Sequence, residues 1–265
     1  MGDGDIGARE TIALMYHVLL SGDDVGPGVD RHYAVGVPAF RAQLDLCQRL
    51  GGAVVSARDW IAGRRGIIVT FDDGHASHYR VAFPHLQAMG GTADFFVNPA
   101  EVGTAGLATW AELAEMARAG MSIQSHGLEH RYLTQLSEPR LRDDLRRARG
   151  EIEDRVGRPV TLLAPPGGRR PPGLARIAAE VGYTHVLDSR PGVIRRGQGP
   201  TLGRFAITAR LETRRIESWL RGGYQRLAAE VRYGLLDLAK RALGDDAYER
   251  VRGRLLRRLS GTTPT

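Results

Sequence analysis

Two carboxylates and two imidazoles stand where apolar runs break into tight turns. Ile67-Ile68-Val69-Thr70-Phe71-Asp72-Asp73-Gly74 places an Asp-Asp pair at the end of a β-branched run, and Ser125-His126-Gly127-Leu128-Glu129-His130 places two histidines four apart further on. Adjacent carboxylates repel, and each loses solvation at the mouth of a buried strand. Such a pair is neutralised by a cation or shares a proton, unless it is simply a solvated Asp-Asp-Gly turn. Histidines four apart can aim both rings at one ion, from a helical turn or, with Gly127, from a tight loop. Surface histidines also fall at that spacing by chance. Joined to a carboxylate from another strand end, however, the pair makes a two-His, one-carboxylate set with open positions, as a catalytic divalent metal requires.

Strand ends must therefore meet, and the rest of the chain supplies them. The pattern predicts strands over 13–19, 67–71, 92–97, 121–126, 161–164, 183–187 and 203–208. Helices are expected between them. One over 38–50 opens at Pro38 and closes at Gly51-Gly52, and one over 77–89 is interrupted by Pro84. A Thr109 to Glu112 capping box starts the next, ended by Gly120. A helix over 138–156 follows, capped by Ser137, with Leu141, Leu145, Ala148 and Ile152 on one face, and a short one covers 174–181. Seven alternations imply parallel strands and an α/β fold, a distorted (β/α)7-type barrel. Its carboxyl-end loops would gather His17, Asp72, Asp73, Asn98, His126 and the Pro165-Pro166-Gly167-Gly168 turn.

At this point the chain resembles the polysaccharide deacetylases, carbohydrate esterase family 4 with the NodB homology domain. Thr70-Phe71-Asp72-Asp73-Gly74 is similar to the family's first motif, and Ser125-His126 through His130, with Leu133 and Leu136 behind, to its second. Leu163-Ala164-Pro165-Pro166-Gly167-Gly168-Arg169 is similar to a variant of the third, and the resemblance runs from about Leu14 to Thr208. It implies that Asp73, His126 and His130 bind a divalent metal, expected to be zinc, and that Asp72 is the general base. It also implies hydrolysis of the N-acetyl group of N-acetylhexosamine units in a glycan or lipid-linked glycan precursor, the oxyanion being held by the metal and the Gly167 N–H beyond Pro166.

Two departures stand out. Ala164 occupies the position of an Arg that orients the base in many relatives, with Arg169 and Arg170 nearby as substitutes. The family's late His, donor of a proton to the leaving amine, has no counterpart, and Arg204-Phe205-Ala206-Ile207 fills its region. His17, His185 or water relayed through Asp72 are the alternatives. His75 and His78 are weighed as added metal ligands, and Trp110 as a sugar-stacking ring or a packing residue. The departures also leave room for a weakened relative that binds or scaffolds glycans, and the fold leaves room for an amidohydrolase on a non-sugar amide.

With 265 residues and 42% hydrophobic content the chain can bury one large core. Cys47 is the only cysteine, which excludes an intrachain disulfide and fits plain packing on an apolar helix face. From Arg204 onward there are 14 basic and 7 acidic residues, so this tail carries the whole +7 charge. Ile216, Trp219, Leu220, Tyr224, Leu227, Val231, Leu235, Leu238, Leu255 and Leu256 recur in it at helical spacing between arginines. The expected division is thus a barrel domain over 1–210 and a basic amphipathic helical extension over 211–265. The extension reads as a solvated hairpin packed on the barrel or as peripheral contact with an anionic membrane; nucleic acid is not an expected partner. The acidic start Met1-Gly2-Asp3-Gly4-Asp5 lacks a basic, apolar leader, which gives a cytoplasmic expectation, membrane-associated if the tail docks.

Overall fold

The computed structural model describes residues 9–22, 29–226, 228, 229, 231 and 233. One nine-stranded sheet organises them. Its strands in chain order are β1 Ala13–Tyr16, β2 Val54–Val55, β3 Ile67–Phe71, β4 Asp94–Val97, β5 Ser122–Ser125, β6 Leu162–Leu163, β7 His185–Asp188, β8 Thr201–Gly203 and β9 Phe205–Ala206. Every pairing is parallel, in the order β8-β7-β6-β5-β4-β3-β1-β9, with β2 paired to the lower half of β3. β1, β3 and β4 are buried throughout, as expected for strands covered on both faces.

The last expected strand is two. β8 pairs with β7 (Leu202 with Leu187) and β9 with β1 (Phe205 with Leu14), and only Arg204 separates them. The two edges of the sheet are thus joined by consecutive residues, and the sheet forms a nearly closed barrel. Gly203 allows the approach, because a Cβ there would lie 2.2 Å from the Arg190 carbonyl oxygen.

Helices among the described residues surround the sheet: α1 Val37–Gly51, α2 Ala57–Ile61, α3 Phe83–Ala88, α4 Trp110–Arg118, α5 Glu138–Val156, α6 Leu174–Glu180 and α7 Thr213–Leu220. The Thr109 capping box forms as read, whereas Ser137 takes the N-cap backbone conformation without a side-chain cap. The helix expected over 77–89 begins as a π-turn, His78–Ala82, before α3, because Pro84 has no N–H to continue the α ladder. The first strand also stops early, at Tyr16. The chain turns at His17 and resumes as Val18–Leu20, paired with Ala34–Gly36 in a separate two-stranded ribbon.

The main core runs from Leu14 and Phe40 through Phe71, Phe95, Leu145 and Phe205 to Ile216, Trp219 and Leu220 of α7. Trp219 packs on Phe205 with ring centroids 4.7 Å apart. The start of the expected extension is therefore barrel core, each such side chain contributing about 1.5–3 kcal/mol by burial. Leu227, Leu235, Leu238, Leu255 and Leu256 lie outside the described residues. Among the described residues no helix is long and apolar enough to cross a membrane. Cys47 is fully buried in α1, and burial pushes its thiol up to about 12, so it is inert packing.

Candidate active site

The loop after β3 splits the two aspartates. Asp72 continues the ladder, its N–H donating to the Tyr16 carbonyl at 3.0 Å, and stays buried. Asp73 turns into the left-handed region at φ 72°, the sole non-glycine to do so among the described residues. Strain of that kind persists only where surrounding structure enforces it. Here it swings Asp73 away from its neighbour and toward β5.

His126 and His130 meet it there. The Nε2 atoms of both histidines lie 3.2 Å from Asp73 Oδ1, and one ligand atom from each of the three residues falls within 4.8 Å of the others. His126 Nδ1 donates to the Ala164 carbonyl at 2.8 Å, which leaves Nε2 with its lone pair toward the cluster. Asn98, at the end of β4, donates from Nδ2 to the carbonyls of His126 at 2.6 Å and Gly127 at 3.3 Å, so the loop between the histidines is tied to the neighbouring strand end. The donor set, one carboxylate oxygen and two imidazole nitrogens converging with a fixed tautomer, fits a divalent metal with open positions. Burial would push Asp73 up, but the His126 and His130 imidazoles beside it hold it well below the carboxylate range.

Asp72 has a partner that motif reading missed. Arg204, wholly buried at the break between β8 and β9, grips it with Nη1 to Oδ1 at 2.6 Å and Nη2 to Oδ2 at 2.8 Å. The same guanidinium donates to Thr70 Oγ1 at 3.2 Å and from Nε to the Asp188 carbonyl at 3.2 Å, and it lies 5.2 Å over the Phe96 ring. Burial alone would raise the Asp72 pKa; Arg204, His126 and His17 outweigh it and bring the net value below the usual one. Asp72 is thus held ionised and fixed in plane. Arg169 and Arg170, the nearby substitutes suggested by the sequence, go elsewhere. Arg169 stacks 4.3 Å over Tyr132 and Arg170 pairs with Asp188 at 2.9 Å. The available signal was an arginine inside the apolar run Leu202 to Ile207, since a buried guanidinium requires a buried carboxylate.

Among the histidines weighed as proton donor, His17 follows the carboxyl end of β1, in the field of both aspartates. Its ring stacks on Tyr33 at 4.5 Å, and its buried Nδ1 takes no hydrogen bond among the described residues. Burial lowers its pKa, while Asp73 and Asp72 act in the opposite direction. His185 instead opens β7 at the far end of the barrel, bonded to Thr184. His75 and His78 serve the His17 segment. His78 Nε2 bonds the His17 carbonyl, and Ser77, bonded to His75 Nδ1 at 2.9 Å, accepts from the Leu19 N–H at 3.0 Å. Gly167 is left-handed at φ 62° in the Pro166–Gly168 turn, and a Cβ there would lie 2.6 Å from Tyr132. Trp110 packs on the core with the Arg155 guanidinium 5.8 Å over its ring, the packing alternative of the two weighed for it.

Residues 61–186 match the polysaccharide deacetylase family. YxkH of Bacillus subtilis (strain 168), provisionally named a polysaccharide deacetylase, is 25% identical over 194 residues, covering 70% of this chain and 67% of the relative. The fold is shared with the Streptococcus pyogenes deacetylase PplD, solved in complex with acetate, at a TM-score of 0.71 and 22% identity over 80% of this chain and 98% of that one. It is shared also with IcaB from Ammonifex degensii, at a TM-score of 0.67 and 25% identity over 85% and 99%.

Proposed function

We propose that this chain, a member of the polysaccharide deacetylase family through residues 61–186, is a metal-dependent N-deacetylase acting on N-acetylhexosamine units of a glycan or lipid-linked glycan precursor. The observation that carries the reading is the placing of an arginine-clamped carboxylate, Asp72, next in sequence to the Asp73, His126 and His130 cluster. Those three residues would hold the ion, zinc being the metal suited to such a set. A bound ion supplies Lewis acidity toward the amide carbonyl and toward water.

The remaining work belongs to the chain. Asp72, ionised and fixed by Arg204, takes the proton from the attacking water. The Gly167 N–H, beside Pro166 in a turn kept open by the missing side chain, is placed to stabilise the developing oxyanion. His17, with a buried ring nitrogen in the field of both aspartates, carries a proton to the departing amine. Because its pKa lies below the ordinary histidine value, it rests neutral at pH 7 and must gain its proton during turnover, from Asp72. His17→Gln is expected to lower kcat by about a hundredfold or more while leaving zinc affinity at the wild-type value, read by chelator competition. An unchanged kcat removes His17 from the role.

Acetate release from N-acetylglucosamine oligomers tests the reading as a whole. Zinc-loaded protein should release acetate, chelation should lower the rate by more than about a hundredfold, and added zinc should restore it. No release across a panel of N-acetylated glycans, or release indifferent to chelation, overturns it. The Arg204 clamp on Asp72 and a buried His17 in the field of both aspartates support turnover over the binding-only alternative.

A further inference from the structure

The two histidines of the cluster are held in different ways. His126 follows β5 directly, is buried, and has its ring oriented by the bond from Nδ1 to the Ala164 carbonyl. His130 lies four residues further on in an irregular loop, with its side chain 42% exposed. Among the described residues its hydrogen bond outside the cluster is made by the backbone and not by the ring. Where the His130 ring points therefore depends on how the loop from Gly127 to His130 is fastened.

Two carboxylates that the chemistry above leaves unused fasten it. Asp144 Oδ1, from the middle of α5, accepts from the Leu128 N–H at 3.1 Å. Glu101 Oε1, from the short turn Pro99–Glu101 that follows β4, accepts from the His130 N–H at 3.1 Å. The same turn meets the loop once more, the Ala100 N–H donating to the Leu128 carbonyl at 3.1 Å. The gripped N–H groups are two residues apart, so α5 and the loop after β4 together fix the backbone on which His130 stands. Gly127, at φ 82°, lets the loop lie against α5, since a Cβ there would sit 3.5 Å from Asp144 Oδ1.

Asp144 is not placed as a solvating residue. It stands half-buried beside Leu145 of the packed face of α5, whereas its neighbour Asp143 is exposed and pairs with Arg147 at 3.7 Å. Burial raises the Asp144 pKa, and the Leu128 N–H opposes that rise. A carboxylate kept where burial disfavours its charge needs a donor, and in accepting from a backbone N–H it fixes that backbone by a charge-assisted bond.

We propose that Asp144 and Glu101 are positioning residues for the metal centre, which aim His130 at the ion by holding the Leu128 and His130 N–H groups. The proposal rests on the reading of Asp73, His126 and His130 as metal ligands, and goes beyond it in assigning the geometry of the loop to two residues outside the three motifs. Partners of this outer kind contribute about 10–100-fold in metal affinity.

Zinc affinity is read by chelator competition and ligand geometry by the visible spectrum of the cobalt(II)-loaded protein, while urea titration of the metal-free protein measures folding. Asp144→Ala and Glu101→Ala should each weaken zinc binding by about tenfold or more, and should move the cobalt spectrum toward that of His130→Ala. Asp144→Asn and Glu101→Gln keep an oxygen acceptor and should recover most of the affinity. Asp143→Ala, which removes the same charge from the exposed face of α5, should keep the wild-type affinity and spectrum. Alanine variants that lose urea stability but keep the zinc affinity and cobalt spectrum of a metal-binding wild type overturn the proposal alone, as do amide variants that bind as poorly as the alanines. A wild type that binds neither zinc nor cobalt overturns the metal reading and the proposal with it.

Discussion

Arg204→Met is expected to cost about 3–5 kcal/mol of stability, because it leaves the Asp72 carboxylate buried without its counter-ion. The loss should depend on pH. The folded pKa of Asp72 lies below its ordinary value, so the pair stabilises the protein above the ordinary carboxylate range, and its contribution disappears as pH falls through the folded value. In the variant, burial without Arg204 raises the same pKa, and protonation relieves the penalty in acid. Urea titrations of wild type and variant should therefore differ most near neutral pH, and the gap should narrow as pH falls toward 4. An equal gap at both pH values would show that lost packing, and not charge, is responsible. Arg204→Lys keeps the charge but not the two-pronged fork, and should recover only part of the stability. Both variants should lose acetate release, since Asp72 is no longer held in plane.

Asp72→Asn should lower kcat by about 10²–10⁴-fold, the range a positioned base contributes. It also leaves Arg204 as an uncompensated buried cation, so a drop in stability must accompany it. The double variant Asp72→Asn/Arg204→Met separates the two effects. Removing both charges should restore much of the stability, because a buried pair and its uncharged replacement are often close in free energy, yet activity should stay at the level of the single variant. Zinc affinity should persist in both, as Asp73, His126 and His130 are untouched. A double variant that regains turnover would show that Asp72 serves the fold alone.

What the sequence revealed follows the distance over which each relation acts. Asp72, Asp73, His126 and His130 were legible because each pair is local and sits where a β-branched or apolar run ends, which a parallel sheet places on one rim. The capping box of Thr109 and Glu112 and the apolar face of α5 were legible for the same reason. Arg204 was not, since it meets Asp72 across 132 residues and only through closure of the sheet. Nothing near Asp72 in sequence records that partner. His17 and His185 were weighed together, and only the fold sets one after the carboxyl end of β1 and the other at the opening of β7. The split of the last strand escaped notice because its apolar pattern runs through the arginine, and the amphipathic face of α7, read with the extension over 211–265, does not itself say what it packs on.

The single-residue link between β8 and β9 has a consequence in time. A ribosome delivers Asp72 and all three cluster residues well before Arg204, so a growing chain can assemble most of the rim while Asp72 is still ionised and without its clamp. Such a carboxylate prefers water, and it resists being drawn inside until the final strand pair docks against β1 and β7. If the chain hydrolyses acetamides as proposed, hydrolysis waits on ring closure, and a fragment cut before Arg204 would have Asp73, His126 and His130 without a clamped Asp72. On the proposed activity, the rate of acetate release would double as a report on whether the circle has been completed.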